Sequence, residues 1–385
     1  MKISSIIDEN ERRVAITPSV VEKYLALGFA VVLPKNFGIS AGFQDAEYIA
    51  AGAVVEKTDF IANADIYVSV KPSSAFFQKL QNPNPDLKNE VKKTAKAVPG
   101  RSKKVEVGIP AGAQFIGILN PLVNCTALKL LSDRGVHCHA LELVPRIGRA
   151  QPMDVLSSQA SIAGYRAVLE ALVFYNRVVP LMMTAAGTAR PARVLVLGAG
   201  VAGLQAIATA RRLGATVFAF DVRAVAREQV ESLGATFVSV EGSAEGSGGY
   251  AGEMGEDYKC RQKKKLQEVI CGMDIVISTA QIPGKSAPVL VDAEMVKSMS
   301  AGSVIVDMST ETGGNCELSR MDEVVTSAGV TIIGYSDLAA RVAHDSSQFF
   351  AKNVLNFVSL MQKDGKIDLT DEIVRSTLLS QFSGV

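Results

Sequence analysis

The sequence predicts an α/β protein of two parallel-sheet domains with a deep cleft between them. Three observations carry this. Short β-branched runs alternate with helical stretches from end to end, the pattern of parallel sheets flanked by helices. One helical pattern, Met153–Arg177, is long enough to bridge two domains. A chain of 385 residues, 48% of them apolar, can build two or three well-filled cores.

The first domain reads in order. Lys2–Ile7 is a strand. Thr17-Pro18 opens a helix with proline at its first position, and Gly28 stands just past its end. Ala30–Leu33, Asp65–Val70, Phe115–Leu119 and Val136–Leu143 are the next strands, and no phosphate-binding glycine pattern accompanies them. A polar insert, 81–107, interrupts this half with Pro83, Pro85, Pro99, Gly100, seven basic and three acidic residues. It is either a solvated excursion or a docking surface for a partner. The second domain has strands at Arg193–Leu197, Thr216–Phe220, Thr236–Val240, Asp274–Ser278, Val304–Asp307 and Val330–Gly334. Six strands with intervening helices fit a dinucleotide-binding sheet. Ala339–Leu360 reads as a helix returning the chain to the first domain. That domain is then discontinuous, 1–150 with 346–385, around a second domain of 151–345.

Composition excludes several classes. With 40 Lys+Arg against 39 Asp+Glu, the net charge of +1 argues against a nucleic-acid binder. Charged residues at 21% and a mean hydropathy of +0.21 exclude a disordered chain. The longest apolar stretch, Val194–Ala210, holds three glycines, Gln205 and Thr209, and reads as a buried strand-turn-helix rather than a membrane span. The first residues, Met1–Ser5, open no apolar run long enough for a signal peptide. Five cysteines without paired spacing suggest reduced thiols in a cytosolic compartment. His137-Cys138-His139 has no further ligand cluster beside it, so no metal site is expected; these histidines and His344 suit surface or core positions.

Three constellations carry chemistry. The first is Gly198-Ala199-Gly200-Val201-Ala202-Gly203, which follows an apolar strand and opens a helix. Gly198 permits the tight turn, Gly200 lets backbone approach a pyrophosphate, and Gly203 lets helix and strand pack closely. The helix N-terminus supplies N–H groups and the positive dipole end. Asp221, at the end of the next strand, can accept both ribose hydroxyls of an adenosine and would repel a 2′-phosphate. Two unit charges at about 4 Å cost roughly 4 kcal/mol at an effective dielectric near 20. Asp221 therefore favours NAD(H), with Arg223 as the counterweight that could accept a 2′-phosphate. The second constellation is Glu241–Gly255, with Tyr250 at its middle. Six of the fourteen residues from Gly242 are glycine, which suits a surface loop or a lid closing over nucleotide. The third is Pro145–Asp154, with Arg146, Arg149, Gln151 and Asp154 followed by Ser157 and Ser158, at the expected mouth of the cleft. It suits helix capping and interdomain pairing, or nicotinamide contact.

These residues carry a resemblance. Pro145–Gln159 (PRIGRAQPMDVLSSQ), Met182–Arg193 (MMTAAGTARPAR), Gly198–Arg223, Gly248–Gly255 (GGYAGEMG), Thr279–Leu290 (TAQIPGKSAPVL) and Gly313–Leu318 (GGNCEL) are similar to one family. It is the NAD(H)-binding component, domain I or the α1 subunit, of proton-translocating nicotinamide nucleotide transhydrogenase. Alanine dehydrogenase is a more distant relative with the same two-domain fold. The resemblance covers nearly the whole chain and implies two Rossmann-like domains, formate/glycerate dehydrogenase-like. Alanine dehydrogenase needs a lysine, a histidine and an aspartate around its amino-acid substrate. Here Lys71 matches the lysine and Arg13 an arginine, but Asn120 stands for the histidine and Glu311 for the aspartate. Asparagine cannot act as a general acid or base near pH 7. A transhydrogenase needs none there, only two nicotinamide rings held within about 3–3.5 Å.

The resemblance also implies residue roles. Arg146, Gln151, Asp154 and Ser157 are the nicotinamide-side residues, with Gln151 reaching toward the partner's nucleotide. Val201, Asp221, Val222 and Arg223 are adenosine- and pyrophosphate-side contacts beside Gly198, Gly200 and Gly203. Gly249, Tyr250 and Gln262 belong to the loop and its helix. Gln281 occupies a cofactor-contact position where the family has an aliphatic residue, and Gly148 and Pro152 stand where it has serines. The implied protein is the alpha-subunit component of an NAD(P)+ transhydrogenase of the Si-specific, proton-translocating type. It binds NAD(H) and passes hydride to and from NADP(H) on a separate component. It is a homodimer, peripheral on the cytoplasmic face of the inner membrane, beside a membrane-embedded subunit and an NADP(H)-binding subunit. Its chain ends after a polar tail, at Val385, where longer relatives continue into the bilayer.

Overall fold

A computed structural model describes residues 1–385 except 9, 59–60, 62, 74–75, 78–107, 241–255, 283–284 and 380–385. The basic insert 81–107 and the loop 241–255, with Gly249 and Tyr250, lie outside the described residues. The chain divides into two compact units: Met1–Gln159 with Ala343–Val385, and Ala160–Val342. The sequence reading places these junctions at 150/151 and 345/346.

The first unit runs through β1 (Lys2–Ser5), α1 (Pro18–Ala26), β2 (Ala30–Pro34), α2 (Asp45–Ala50), β3 (Val54–Glu56), β4 (Ile66–Val68), β5 (Gln114–Gly117), α3 (Cys125–Asp133) and β6 (His137–Ala140). The sheet order is β3-β2-β1-β4-β5-β6, and every pair is parallel. The short edge strand β3 was not foreseen. Val54 is 55% exposed, and a half-wet three-residue edge gives no apolar run to detect. Proline at its first position starts α1, Val20, Val21 and Tyr24 turn one face inward, and Gly28 at φ +83° ends the turn.

A 3-10 run, Gly148–Met153, leads into α4 (Val155–Phe174), which carries the chain over the unit boundary. The second unit continues with a hairpin, β7 (Met182–Thr184) and β8 (Gly187–Ala189), then β9 (Arg193–Leu197), α5 (Val201–Arg212), β10 (Thr216–Phe220), α6 (Ala226–Ser232), β11 (Thr236–Phe237), α7 (Glu256–Ile270), β12 (Ile275–Ser278), α8 (Ala293–Ser298), β13 (Val304–Asp307), β14 (Val324–Ser327) and β15 (Val330–Ile333). The order is β11-β10-β9-β12-β13-β15-β14. The third strand is shorter than the sequence suggests, and β14 is an added edge strand, antiparallel to β15. Ala328 (φ +50°) and Gly329 (φ +78°) make the two-residue turn that joins them.

The two faces of this sheet separate by residue parity. Val194, Val196, Ile275, Ile277, Val304 and Val306 pack with Ala167 and Ala171 of α4 and Ala206 and Ile207 of α5. Leu195, Leu197, Val276 and Ile305 pack with Leu266 and Ile270 of α7 and Met295 and Val296 of α8. Both faces are dry, so these strands read as continuous apolar runs. Each buried Val or Leu contributes about 1.5–3 kcal/mol. The chain returns to the first unit through α9 (Ala343–Met361), β16 (Gln362–Lys363), β17 (Lys366–Ile367) and α10 (Glu372–Thr377). Phe350, Val354 and Phe357 of α9 complete the core over Ile3, Val31, Leu33, Ile66 and Ile116.

Candidate functional site

In the second unit, three residues turn the chain from β9 into α5. Gly198 takes φ +98°, a region open to glycine. A Cβ on Gly203 would lie 1.8 Å from the Gly198 carbonyl oxygen, so only glycine lets the helix start this close to the turn. A Cβ on Gly200 would meet nothing within 4 Å among the described residues, which leave the space before the turn open. Close backbone, open front and the first N–H groups of α5 form a cradle suited to a pyrophosphate. Val201, 45% exposed, is the first helical residue. Two supports escaped sequence reasoning. Thr279 Oγ1 donates to the Gly198 carbonyl at 3.0 Å. Gly164 of α4 would place a Cβ 2.0 Å from the Ala202 carbonyl oxygen, so α4 backs closely onto the start of α5.

Asp221 follows β10 with its side chain 6% exposed. Its Oδ2 accepts from Ala199 N–H at 2.7 Å and Arg223 Nη2 at 2.9 Å. Its Oδ1 accepts from Arg223 N–H and Nε, both at 2.9 Å. Burial alone would raise this carboxyl, but the Arg223 guanidinium and the backbone N–H groups outweigh it and hold the pKa below the usual carboxylate range. Asp221 and Arg223 therefore form one paired unit. A ribose bound here would have to share or displace these bonds, and the guanidinium would offset part of the repulsion that a lone carboxylate exerts on a 2′-phosphate. Val222 lies between them, half-buried. Gln262 is 9% exposed on α7. Gln281 is exposed, and its amide only grazes the Met308 carbonyl at 3.5 Å.

A second polar centre went unassigned from sequence. Asp307, fully buried at the end of β13, accepts five hydrogen bonds. Oδ1 receives Ser309 N–H at 3.0 Å and Ser278 Oγ at 3.3 Å. Oδ2 receives Asn315 N–H at 2.8 Å, Cys316 N–H at 2.9 Å and Ser319 Oγ at 2.6 Å. The Asn315 amide in turn clasps Ala280, accepting from its N–H at 3.1 Å and donating to its carbonyl at 2.9 Å. The segment after β12 is thereby fixed beside Gly198. The signal available was a strand ending in aspartate before a Ser/Gly/Asn-rich turn.

In the first unit, Arg146 and Gln151 are exposed, while Asp154 and Ser157 are half-buried. Asp154 caps α4: its Oδ1 accepts Ser157 N–H at 2.9 Å and its Oδ2 accepts Ser157 Oγ at 2.6 Å. Of the alanine dehydrogenase set, Arg13 is committed. It forks onto Glu11 at 2.8 and 2.7 Å and donates to Gln159 Oε1 at 2.7 Å. Asn120 sits at φ +46°, its N–H donating to Glu142 Oε1 at 2.5 Å. His139 is a core histidine with ring nitrogens 3.0 Å from Thr377 Oγ1 and Gln114 Oε1. Among the described residues, no cluster of three His, Cys, Asp or Glu can hold a metal ion, and no helix is long and apolar enough to cross a membrane.

Known proteins share this architecture. The family model described as "Alanine dehydrogenase/PNT, C-terminal domain" matches residues 167–384, and its N-terminal counterpart matches 4–84. The chain is 45% identical to the first of the polypeptides that make up the NAD(P) transhydrogenase alpha subunit of Rickettsia prowazekii, over 99% of this chain and 95% of that protein. A solved transhydrogenase from Sinorhizobium meliloti is 40% identical over 98% of both chains, with a TM-score of 0.84. A solved L-alanine dehydrogenase shares the fold, at 24% identity over 98% of this chain and 94% of its own and a TM-score of 0.76.

Proposed function

The chain belongs to the alanine dehydrogenase/transhydrogenase family, and we propose that it is the NAD(H)-binding subunit of a proton-translocating transhydrogenase. The observation that carries this reading is the open glycine cradle at the β9–α5 turn, followed by buried Asp221. The cradle fits a dinucleotide: backbone closes on one side at Gly203, and among the described residues nothing lies within 4 Å of a Cβ placed on Gly200 at the other. NAD(H), when bound, supplies the hydride-carrying ring. Everything else falls to the chain. Gly198, Gly200, Val201 and Gly203 hold the pyrophosphate, and Asp221, Val222 and Arg223 orient the adenosine ribose. Gln262, Gln281 and the loop residues Gly249 and Tyr250 complete the nucleotide's surroundings.

The first unit supplies orientation. Gln151 stands exposed at the end of a short turn, where it meets the nucleotide of the partner. Asp154 and Ser157 lock the helix start behind it, and Arg146 steadies the turn. No residue here moves a proton. The partner component holds NADP(H), and a membrane-embedded subunit carries the protons. We place the chain as a homodimer, peripheral on the cytoplasmic face of the inner membrane. The apolar β7–β8 hairpin, with Leu181 56% and Met183 72% exposed, supports the homodimer. The Si-specific assignment that the resemblance implies is tested by NADH deuterated on one face of C4.

Alanine dehydrogenase activity is disfavoured by two particulars: Asn120 offers no proton, and Arg13 is already paired with Glu11 and Gln159. The isolated chain should quench or shift NADH fluorescence on titration and bind NADPH far more weakly. It should also reduce no pyruvate in the presence of ammonium. Equal affinities for NADH and NADPH would remove the Asp221 argument. A robust pyruvate rate would restore alanine dehydrogenase.

A further inference from the structure

The turn carrying Gln151 is held from a segment some two hundred residues away. The Pro152 carbonyl, next to Gln151, accepts from Asn353 Nδ2 at 2.8 Å and from Asn356 Nδ2 at 3.1 Å. The other end of the Asn353 amide, Oδ1, accepts from Ser158 Oγ at 2.7 Å. One side chain of α9 thus grips the chain on both sides of the Asp154–Ser157 cap. At the next residue of α4, Gln159 Oε1 accepts from Ser346 Oγ at 2.7 Å, and Gln159 Nε2 donates to the Ser346 carbonyl at 3.1 Å. Ser346 and Asn353 are seven residues apart, and Asn356 is three further on, so all three lie along one stripe of α9. Arg149, inside the turn, is paired with Asp371 at 2.7 Å and Glu372 at 2.9 Å, where α10 begins.

We propose that Asn353 and Asn356 are positioning residues for hydride transfer: they clamp the Gln151 turn through the Pro152 carbonyl. This rests on the function proposed above. The physical case is direct. Of the six residues in this 3-10 turn, Ala150 and Met153 are buried in the core, while Gly148, Arg149, Gln151 and Pro152 are exposed, so the backbone around Gln151 depends on hydrogen bonds as well as on that core. Proline fixes φ at residue 152, and two amide donors fix the peptide plane that follows it. The backbone from which the Gln151 side chain leaves is then set by a helix whose other face, with Phe350, Val354 and Phe357, is buried in the core. In this chain the turn is held by its proline carbonyl and by Arg149.

The test uses two variants of the full chain, Asn353→Asp and Asn353→Asp/Asn356→Asp. Each keeps the side-chain volume and the acceptor for Ser158; the single variant removes one donor to Pro152 and the double variant removes both. Hydrogen–deuterium exchange should quicken over 147–154 and stay unchanged over 198–212. Mixed with the NADP(H)-binding component, the double variant should transfer hydride roughly tenfold to a hundredfold more slowly, with the NADH dissociation constant within about twofold of the parent. Unchanged exchange over 147–154 overturns the clamp, and so does fast exchange with an unchanged transfer rate. A parent chain that transfers no hydride at all would sink the proposed function instead, and the exchange arm would still decide the clamp. A thermal melt of each variant separates loosening of the turn from general unfolding, which would quicken exchange over 198–212 as well and overturn the assignment.

Discussion

The two units share the order of their first five strands and differ in what stands at the end of the first strand. In both sheets the chain moves outward one way, returns to the centre, and moves out the other way, leaving a crevice between the first and fourth strands. In the second unit that place is bare backbone, Gly198, Gly200 and Gly203, and the described residues leave the space before Gly200 open. In the first unit, side chains occupy the corresponding place. Asp8 Oδ2 accepts from Ser73 N–H at 2.6 Å, joining the segments after β1 and β4. Glu11 and Arg13 follow as a pair with side chains about 11% and 10% exposed. A doubly wound sheet offers a crevice wherever its strand order reverses. Residue choice at the strand end decides whether the crevice takes a phosphate or is filled by the chain itself.

The contrast breaks most completely at Gly203. Gly203→Ala puts a methyl where the Gly198 carbonyl already stands. NADH affinity should fall by about a hundredfold or more, read by fluorescence titration, with a lower thermal midpoint. Unchanged binding would mean the turn is not the cradle. Next comes Asp307→Asn. Its amide group must face one of the backbone donors the carboxylate now satisfies, costing about 3–4 kcal/mol in denaturant unfolding. A cost below about 1 kcal/mol would show that Ser278, Asn315 and Ser319 find other partners.

Acid should separate the units. Burial, aided by the nearby His137, holds the His139 imidazole down to about 3 from 6.5. The unfolded chain takes up this proton first. His139 therefore contributes stability above pH 6.5 that drains away as pH falls toward 3, at up to about 1.4 kcal/mol per pH unit. In the second unit, the lowered carboxyls of Asp221 and Asp274 begin to lose their contribution only near and below the ordinary carboxylate range. Protection from exchange, taken relative to the intrinsic rate at each pH, should fall first in the first unit between pH 6.5 and 4.5, and His139→Gln should flatten that slope. The smallest effect is at Asp221. Because Arg223 already balances its charge, Asp221→Ser should weaken NADH by about tenfold and narrow the preference over NADPH, measured by parallel titrations. A thousandfold loss would mean that the ion pair opens before nucleotide binds.

Much of the second unit was legible because both sheet faces are dry, so β9 and β10 appear as apolar runs with the bounds the sequence suggests. The glycine fingerprint was legible because its chemistry is local. What escaped was non-local or wet. Strands β3 and β14 lie at edges, where exposed alternation is weak. Asp307 gathers donors from β12 to Ser319, and Asn353 reaches back to Pro152; spacing does not reveal such pairings. Asp221 was found, yet its pairing with Arg223 depends on side-chain direction, which a sequence does not display.

The central claim is that hydride passes from nicotinamide held by this chain to nicotinamide held by another, with no proton-exchanging intermediate. The direct measurement mixes the chain with the NADP(H)-binding component, NADP+ and NADH carrying deuterium at both C4 positions, and follows the label by mass spectrometry. Deuterium should appear in NADPH in the same amount as is lost from NADH, with none released to water. Label appearing in solvent, or NADH oxidised without labelled NADPH, would contradict direct transfer.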